Sequence, residues 1–135
     1  ISVKGNQVSW YKSKEKDYSY KTFRAYLDVV FAYAGTLSLA KELTSVPVTS
    51  MQIGDVLIQG GSPGHAVIVV DMAENPATGE KLYLLAQSYM PAQDIQVLEN
   101  PKERDKSPWY TLKGEGCILT PEWRFTSANL KRFKD

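Results

Sequence analysis

Among the side chains of this sequence, an imidazole and a carboxamide are the pair best suited to form half of a nucleophilic catalytic site. His65 is the one histidine in 135 residues. It follows Ser62-Pro63-Gly64 and opens the apolar run Ala66 to Val70, while Gln87 closes the run Lys81 to Ala86. Imidazole takes up and returns protons near neutral pH. A carboxamide oxygen accepting its N–H would hold one tautomer, the arrangement of a base oriented by a third group. Whether the two meet depends on the hairpin across Glu74-Asn75-Pro76-Ala77-Thr78-Gly79, whose composition is that of a turn. A hairpin centred on Pro76 sets Asp71 opposite Lys81, Val70 opposite Leu82, Val69 opposite Tyr83, Ile68 opposite Leu84, Val67 opposite Leu85 and Ala66 opposite Ala86. His65 then stands directly opposite Gln87, with Cβ atoms roughly 4.5 to 5.5 Å apart. Asp71 shares the face of His65, but six residues of strand put it roughly 20 Å away.

The same residues have a structural reading, in which a histidine at the start of a strand and a nearby glutamine satisfy one another without catalysis. The Gly60-Gly61-Ser62-Pro63-Gly64 stretch resembles a phosphate cradle, yet it lacks a following helix and a lysine, so it reads as a tight turn exposing His65. Ser62 is a remote candidate for a nucleophile. Cys117, between Gly116 and Ile118-Leu119, reads as a small buried apolar residue in a strand. Tyr89 to Asp94 is either a rim that touches substrate or a bend between strands. Trp109, Tyr110 and Trp123 could stack on sugar rings if exposed together; anchoring of the tail onto the sheet is the favoured reading.

Those residues need a scaffold. Phe23, Tyr26, Leu27, Val30, Phe31 and Ala34 recur at helical spacing, predicting an amphipathic helix over about 22–34 packed on a core and ended by Gly35. A second helix over about 36–43 follows, begun by Thr36, with Leu39 and Leu43 inward and Pro47 forbidding continuation. Ile1 to Tyr11 reads as a short hairpin around Gly5-Asn6, and Lys12 to Lys21 as an exposed connector. Strands are expected over about 55–59, 65–72, 81–88 and 95–98, joined as an antiparallel meander, with a short helix near Ser127 to Phe133. The class is α+β, in one domain spanning 1–135.

Composition narrows the partners. Sixteen basic residues balance fifteen acidic ones, for a formal charge of +1, and they are scattered, which argues against nucleic acid. No run is long and apolar enough to span a bilayer. One cysteine excludes an internal disulfide and a cysteine-built zinc site, and with one histidine no cofactor or metal is expected. The chain begins at Ile1 without a signal peptide, and it reads as a processed or truncated product.

The stretch GDVLIQGGSPGHAVIVVDMA (Gly54 to Ala73), with LLAQSYMPAQDI (Leu84 to Ile95), SPWY (Ser107 to Tyr110), TPEW (Thr120 to Trp123) and FAYAGTLSLAKEL (Phe31 to Leu43), closely resembles the bacterial family of domain of unknown function 4846. The resemblance implies a domain extending further toward the N-terminus and an extracytoplasmic, secreted or lipid-anchored setting. More distantly, Gly54-Asp55, Gly64-His65 and Gln87 resemble the pattern of NlpC/P60-type papain-like cysteine peptidases, which implies a papain-like antiparallel sheet with packed helices. In that pattern a cysteine begins a helix, and alignment on Tyr33-Ala34-Gly35 would place it at Phe23, which cannot attack a carbonyl. Three explanations stand: a cysteine upstream of Ile1, a scaffold that has lost catalysis, or Cys117 folding back to His65. The expectation is an extracytoplasmic hydrolase of peptide or amide bonds, such as those of cell-wall fragments, with His65 as base and Gln87 as orienter and its nucleophile outside this chain. The alternative is a non-catalytic peptide- or glycan-binding domain on the same scaffold.

Overall fold

The computed structural model describes residues 2–4, 7–11, 16–89 and 93–134, and the chain divides into two compact units, Ile1–Ala34 and Gly35–Asp135. In the first, β1 (Ser2–Lys4) and β2 (Gln7–Ser9) pair antiparallel, Ser2 opposite Ser9. The turn residues 5–6 and most of the expected connector, 12–15, lie outside the described residues.

Helix α1 (Tyr20–Tyr33) begins at Ser19, whose hydroxyl accepts the Thr22 backbone N–H at 3.3 Å, while Asp17 Oδ2 accepts the Thr22 hydroxyl at 2.6 Å. These bonds occupy donors that a helix start leaves open. The expected apolar stripe corrects to an exposed one: no residue of α1 is buried, and Phe31 is 71% accessible. A unit holding one helix and a hairpin of three-residue strands has little apolar surface with which to enclose a helix face. Ala34, not Gly35, is the C-cap of α1. Gly35 is instead the N-cap of α2 (Thr36–Glu42).

Among the described residues of the second unit, a seven-stranded sheet runs in the order β3 (Thr44–Ser45), β11 (Leu130–Arg132), β4 (Val56–Gln59), β5 (His65–Glu74), β6 (Lys81–Gln87), β7 (Gln96–Val97), with β8 (Tyr110–Thr111) also on β6. β9 (Cys117–Leu119) and β10 (Arg124–Thr126) form a separate ribbon, and every pairing is antiparallel. The fold is α+β with antiparallel sheets. Residues 127–133 do not form the expected helix. Ser127–Asn129 make a single 3₁₀ turn, capped reciprocally by Thr126 and Asn129, and the chain then enters the sheet as β11. Burial of Leu130 favours this path, since Leu130 is fully enclosed opposite Leu57.

The β5–β6 register also departs from expectation. The loop is longer than a hairpin centred on Pro76: Asn75 Oδ1 accepts the backbone N–H groups of Ala77 and Thr78, Gly79 takes φ +71°, and the Asn75 N–H reaches the Glu80 carbonyl. Pairing therefore begins at Glu74 opposite Lys81, joined by a 3.5 Å ion pair, and Asp71 faces Leu84 rather than Lys81. A bulge at Val70 then shifts the ladder, so that Val69 faces Leu85 and Ile68 faces Ala86. Ile68 thus pairs two residues further along β6 than expected. That even offset keeps His65, Val67 and Val69 on their expected face, whereas beyond the bulge the offset is three, so that Asp71 leaves the face of His65 and Met72 packs on the core in its place.

The core lies under this sheet. Leu57, Val67, Val69, Leu85, Phe125 and Leu130 are almost fully buried in one cluster, and Leu43, Val56 and Ile58 form a second on which Leu39 of α2 packs. Each such side chain contributes about 1.5–3 kcal/mol by leaving water. Tyr83 and Tyr110 stack with ring centres 5.5 Å apart, and burial pushes both hydroxyls well above the usual phenol range. Asp55, which opens β4, is 1% accessible and paired: Arg132 Nε donates to Oδ1 at 2.6 Å and Nη2 to Oδ2 at 2.9 Å, tying β11 to β4. No helix among the described residues is long and apolar enough to cross a membrane.

Candidate functional site

Three strand ends meet at one place: Gln59 ends β4, His65 begins β5, and Gln87 ends β6. Gln59, rather than Gln87, is directly opposite His65. Continuing the Ile68–Ala86 register sets Val67 beside Gln87, which makes His65 and Gln87 diagonal neighbours on the buried face. Diagonal partners about 7–8 Å apart are within reach of long side chains. His65 Nε2 and Gln87 Oε1 lie 2.6 Å apart, with both residues buried. The expected direct opposition of His65 and Gln87 thus corrects to a diagonal contact, because the register differs by two from the expected one.

A carbonyl oxygen only accepts, so Nε2 carries a hydrogen, and in the neutral ring the lone pair is then on Nδ1. No side-chain nitrogen or oxygen enclosed among the described residues lacks a hydrogen-bond partner. The ring's one hydrogen bond among those residues is at Nε2. Gln87 is held in turn, since its Nε2 donates to Glu122 Oε2 at 2.7 Å.

Glu122 belongs to the tight turn between β9 and β10. Thr120, 1% accessible, closes that turn by donating its backbone N–H and its hydroxyl to the Trp123 carbonyl, at 2.8 and 2.9 Å, while Oγ1 accepts the Trp123 N–H at 3.1 Å. Pro121 occupies the second position, where its fixed φ suits a turn. The same turn sets Trp123 beside the imidazole, with ring centres 5.4 Å apart, and the indole N–H donates to Gln59 Oε1 at 3.2 Å. Phe125 stacks on the imidazole at 6.0 Å and Tyr89 meets it edge-on at 5.1 Å. Three aromatic rings thus surround an imidazole whose Nε2 is bonded to Gln87.

The family described as Domain of unknown function (4846) matches residues 1–132. The chain belongs to that family. No curated protein and no solved structure matches it.

In this member of the 4846 family the glycines before His65 are spacing devices. A Cβ on Gly64 would lie 2.3 Å from Thr36 Oγ1 and 2.8 Å from the backbone N and O of Gly61, and one on Gly60 would lie 2.9 Å from Ala40 Cβ. The turn is thereby pressed against α2, with no room for a side chain. Gly64→Ala is expected to cost about 1–3 kcal/mol by overpacking, read from denaturant unfolding, and to move the His65 backbone; an unchanged midpoint would contradict the close approach.

The remaining candidates are dispersed. Ser62 is exposed in the turn. Cys117, half-buried on β9 opposite Thr126, has its sulfur bonded by Arg124 Nε at 2.9 Å, whereas the rings around His65 come from Tyr89, Trp123 and Phe125. Phe23 lies on α1 in the other unit. Trp109, Tyr110 and Trp123 are not exposed together: Tyr110 is buried against Tyr83, and Trp123 alone joins the histidine. Of the expected rim, Tyr89 reaches the imidazole, and 90–92 lie outside the described residues. Gly54-Asp55 serves the fold, with Gly54 at φ +92° and Asp55 paired to Arg132. Glu122 was missed, because it touches Gln87 across thirty-five residues of sequence and no local pattern connects the two.

Proposed function

We propose that this chain is the histidine-bearing part of an extracytoplasmic cysteine hydrolase of papain-like arrangement, cleaving peptide or amide bonds such as those of cell-wall peptides. His65 is its general base, Gln87 its orienter, and the nucleophile is a cysteine supplied from outside these 135 residues. The observation that carries this reading is the 2.6 Å bond between His65 Nε2 and Gln87 Oε1, which leaves Nδ1 open to take a proton. A general base must present a lone pair while its other nitrogen is held. The aromatic surround supports the reading as well, since a dry, low-dielectric setting strengthens interactions with charge that develops during reaction. The resemblance of Gly54-Asp55, Gly64-His65 and Gln87 in sequence to the NlpC/P60 pattern is what suggests a thiol as the nucleophile, and a helix N-terminus would bring such a thiol toward thiolate.

Hydrolysis then begins as Nδ1 accepts the thiol proton while sulfur attacks the carbonyl carbon. The imidazolium returns that proton to the departing amine; water, giving a proton to Nδ1, then attacks the thioester carbon, the C–S bond breaks, and the carboxylic acid leaves as the thiol takes the proton back. The protein carrying its upstream segment is expected to hydrolyse members of a panel of cell-wall-type peptides, and to lose that activity on thiol alkylation. Hydrolysis that survives alkylation, or none across the panel, contradicts the proposal; binding without cleavage would point to the peptide- or glycan-binding alternative.

A further inference from the structure

We propose that Glu122 is a positioning residue that selects the tautomer of His65 through the carboxamide of Gln87. Its catalytic consequence rests on the reading above; the tautomer choice itself does not.

A glutamine carboxamide is nearly symmetric in shape and opposite in character at its two ends, one accepting and the other donating. A neutral imidazole could bond either end. With Oε1 toward the ring, Nε2 carries the hydrogen and Nδ1 is the base. With the NH₂ group toward the ring, Nε2 must accept, the hydrogen sits on Nδ1, and the outward nitrogen is no base at all. The two states interconvert by a carboxamide flip and a proton exchange with water, with no change in ring charge. Nothing in the His65–Gln87 contact alone decides between them.

Glu122 decides. Its carboxylate has only lone pairs to offer, and it lies 2.7 Å from Gln87 Nε2. The flipped carboxamide would set its oxygen against that carboxylate, losing a charge-assisted hydrogen bond and adding repulsion. The acceptor-only group is therefore two bonds from the imidazole, yet it fixes which ring nitrogen is basic. The turn that holds Glu122 is itself pinned through buried Thr120, so the carboxylate position is built rather than incidental. The side chain stands on the exposed side of the turn, where substitutions are tolerated by the fold.

Imidazole ¹⁵N spectra test this directly, recorded above the imidazole titration on protein labelled at histidine and assigned with a His65→Ala variant. Unaltered protein is expected to show hydrogen on Nε2 and a lone pair on Nδ1. Glu122→Lys replaces an acceptor-only group with a donor-only group and should invert the carboxamide, moving the tautomer ratio toward Nδ1–H by about tenfold or more. Glu122→Gln, which can donate or accept at the same reach, should give a mixture and keeps the test available if the lysine variant folds poorly. Wild-type tautomer ratios in both variants, or an Nδ1–H form in the unaltered protein, would overturn the proposal. A shifted tautomer in a protein that hydrolyses nothing would retain the relay and remove the enzyme reading, and an active enzyme with unmoved tautomers would do the reverse.

Discussion

Replacing Phe125 with alanine is expected to destabilise the Gly35–Asp135 unit by about 3–5 kcal/mol, the usual cost of emptying a buried aromatic site. Phe125 is fully enclosed in the main cluster and is the largest of the fully buried side chains. It also links fold to site, because its ring stacks at 24° on the imidazole of His65. Its loss would open the floor beneath the base and admit water beside the Gln87 bond. Since a domain's whole stability is about 5–15 kcal/mol, the variant should unfold at markedly lower denaturant with an unchanged slope. A loss below about 1 kcal/mol would show that the site collapses to fill the gap, against the close packing described for this cluster.

On the proposed hydrolase mechanism, His65→Ala should lower hydrolysis by roughly 10²- to 10⁴-fold, the ordinary worth of a positioned general base. The effect belongs in kcat, with KM little changed, because Nδ1 acts on a proton in transit and not on the resting substrate. Gln87→Ala should cost less, since the base survives while its tautomer and orientation relax. The check is steady-state kinetics of the full-length protein on one peptide. Equal kcat for His65→Ala and the unaltered protein would leave His65 as a hydrogen-bonded structural residue, the other reading of the sequence.

Much of this arrangement could be read from the residues, and the failures have physical causes. The alternation of Val67, Val69, Tyr83 and Leu85 determined which face of β5 and β6 is buried, and hence that His65 and Gln87 share it. Register was not readable to the residue, because the loop is set by Asn75 and Gly79 and the ladder is reset by the bulge at Val70. The helical spacing of Phe23, Tyr26 and Phe31 established a common face but carried no information about what covers it, and those residues are exposed. At Ser127–Phe133 local composition suggested a helix, while the place opposite Leu57 takes Leu130 into the sheet. Glu122 and Trp123 reach the site through the Thr120–Trp123 turn, a long-range contact that neither periodicity nor spacing encodes.

The most direct test is the pH dependence of thiol alkylation, comparing the full-length protein with its His65→Ala variant. An imidazole that accepts the thiol proton at Nδ1 makes one cysteine react well below pH of about 8.5, where an ordinary thiol ionises, and His65→Ala should return that profile to the ordinary range. Superimposable profiles for the two proteins would mean that no thiol answers to this histidine, which would contradict the account.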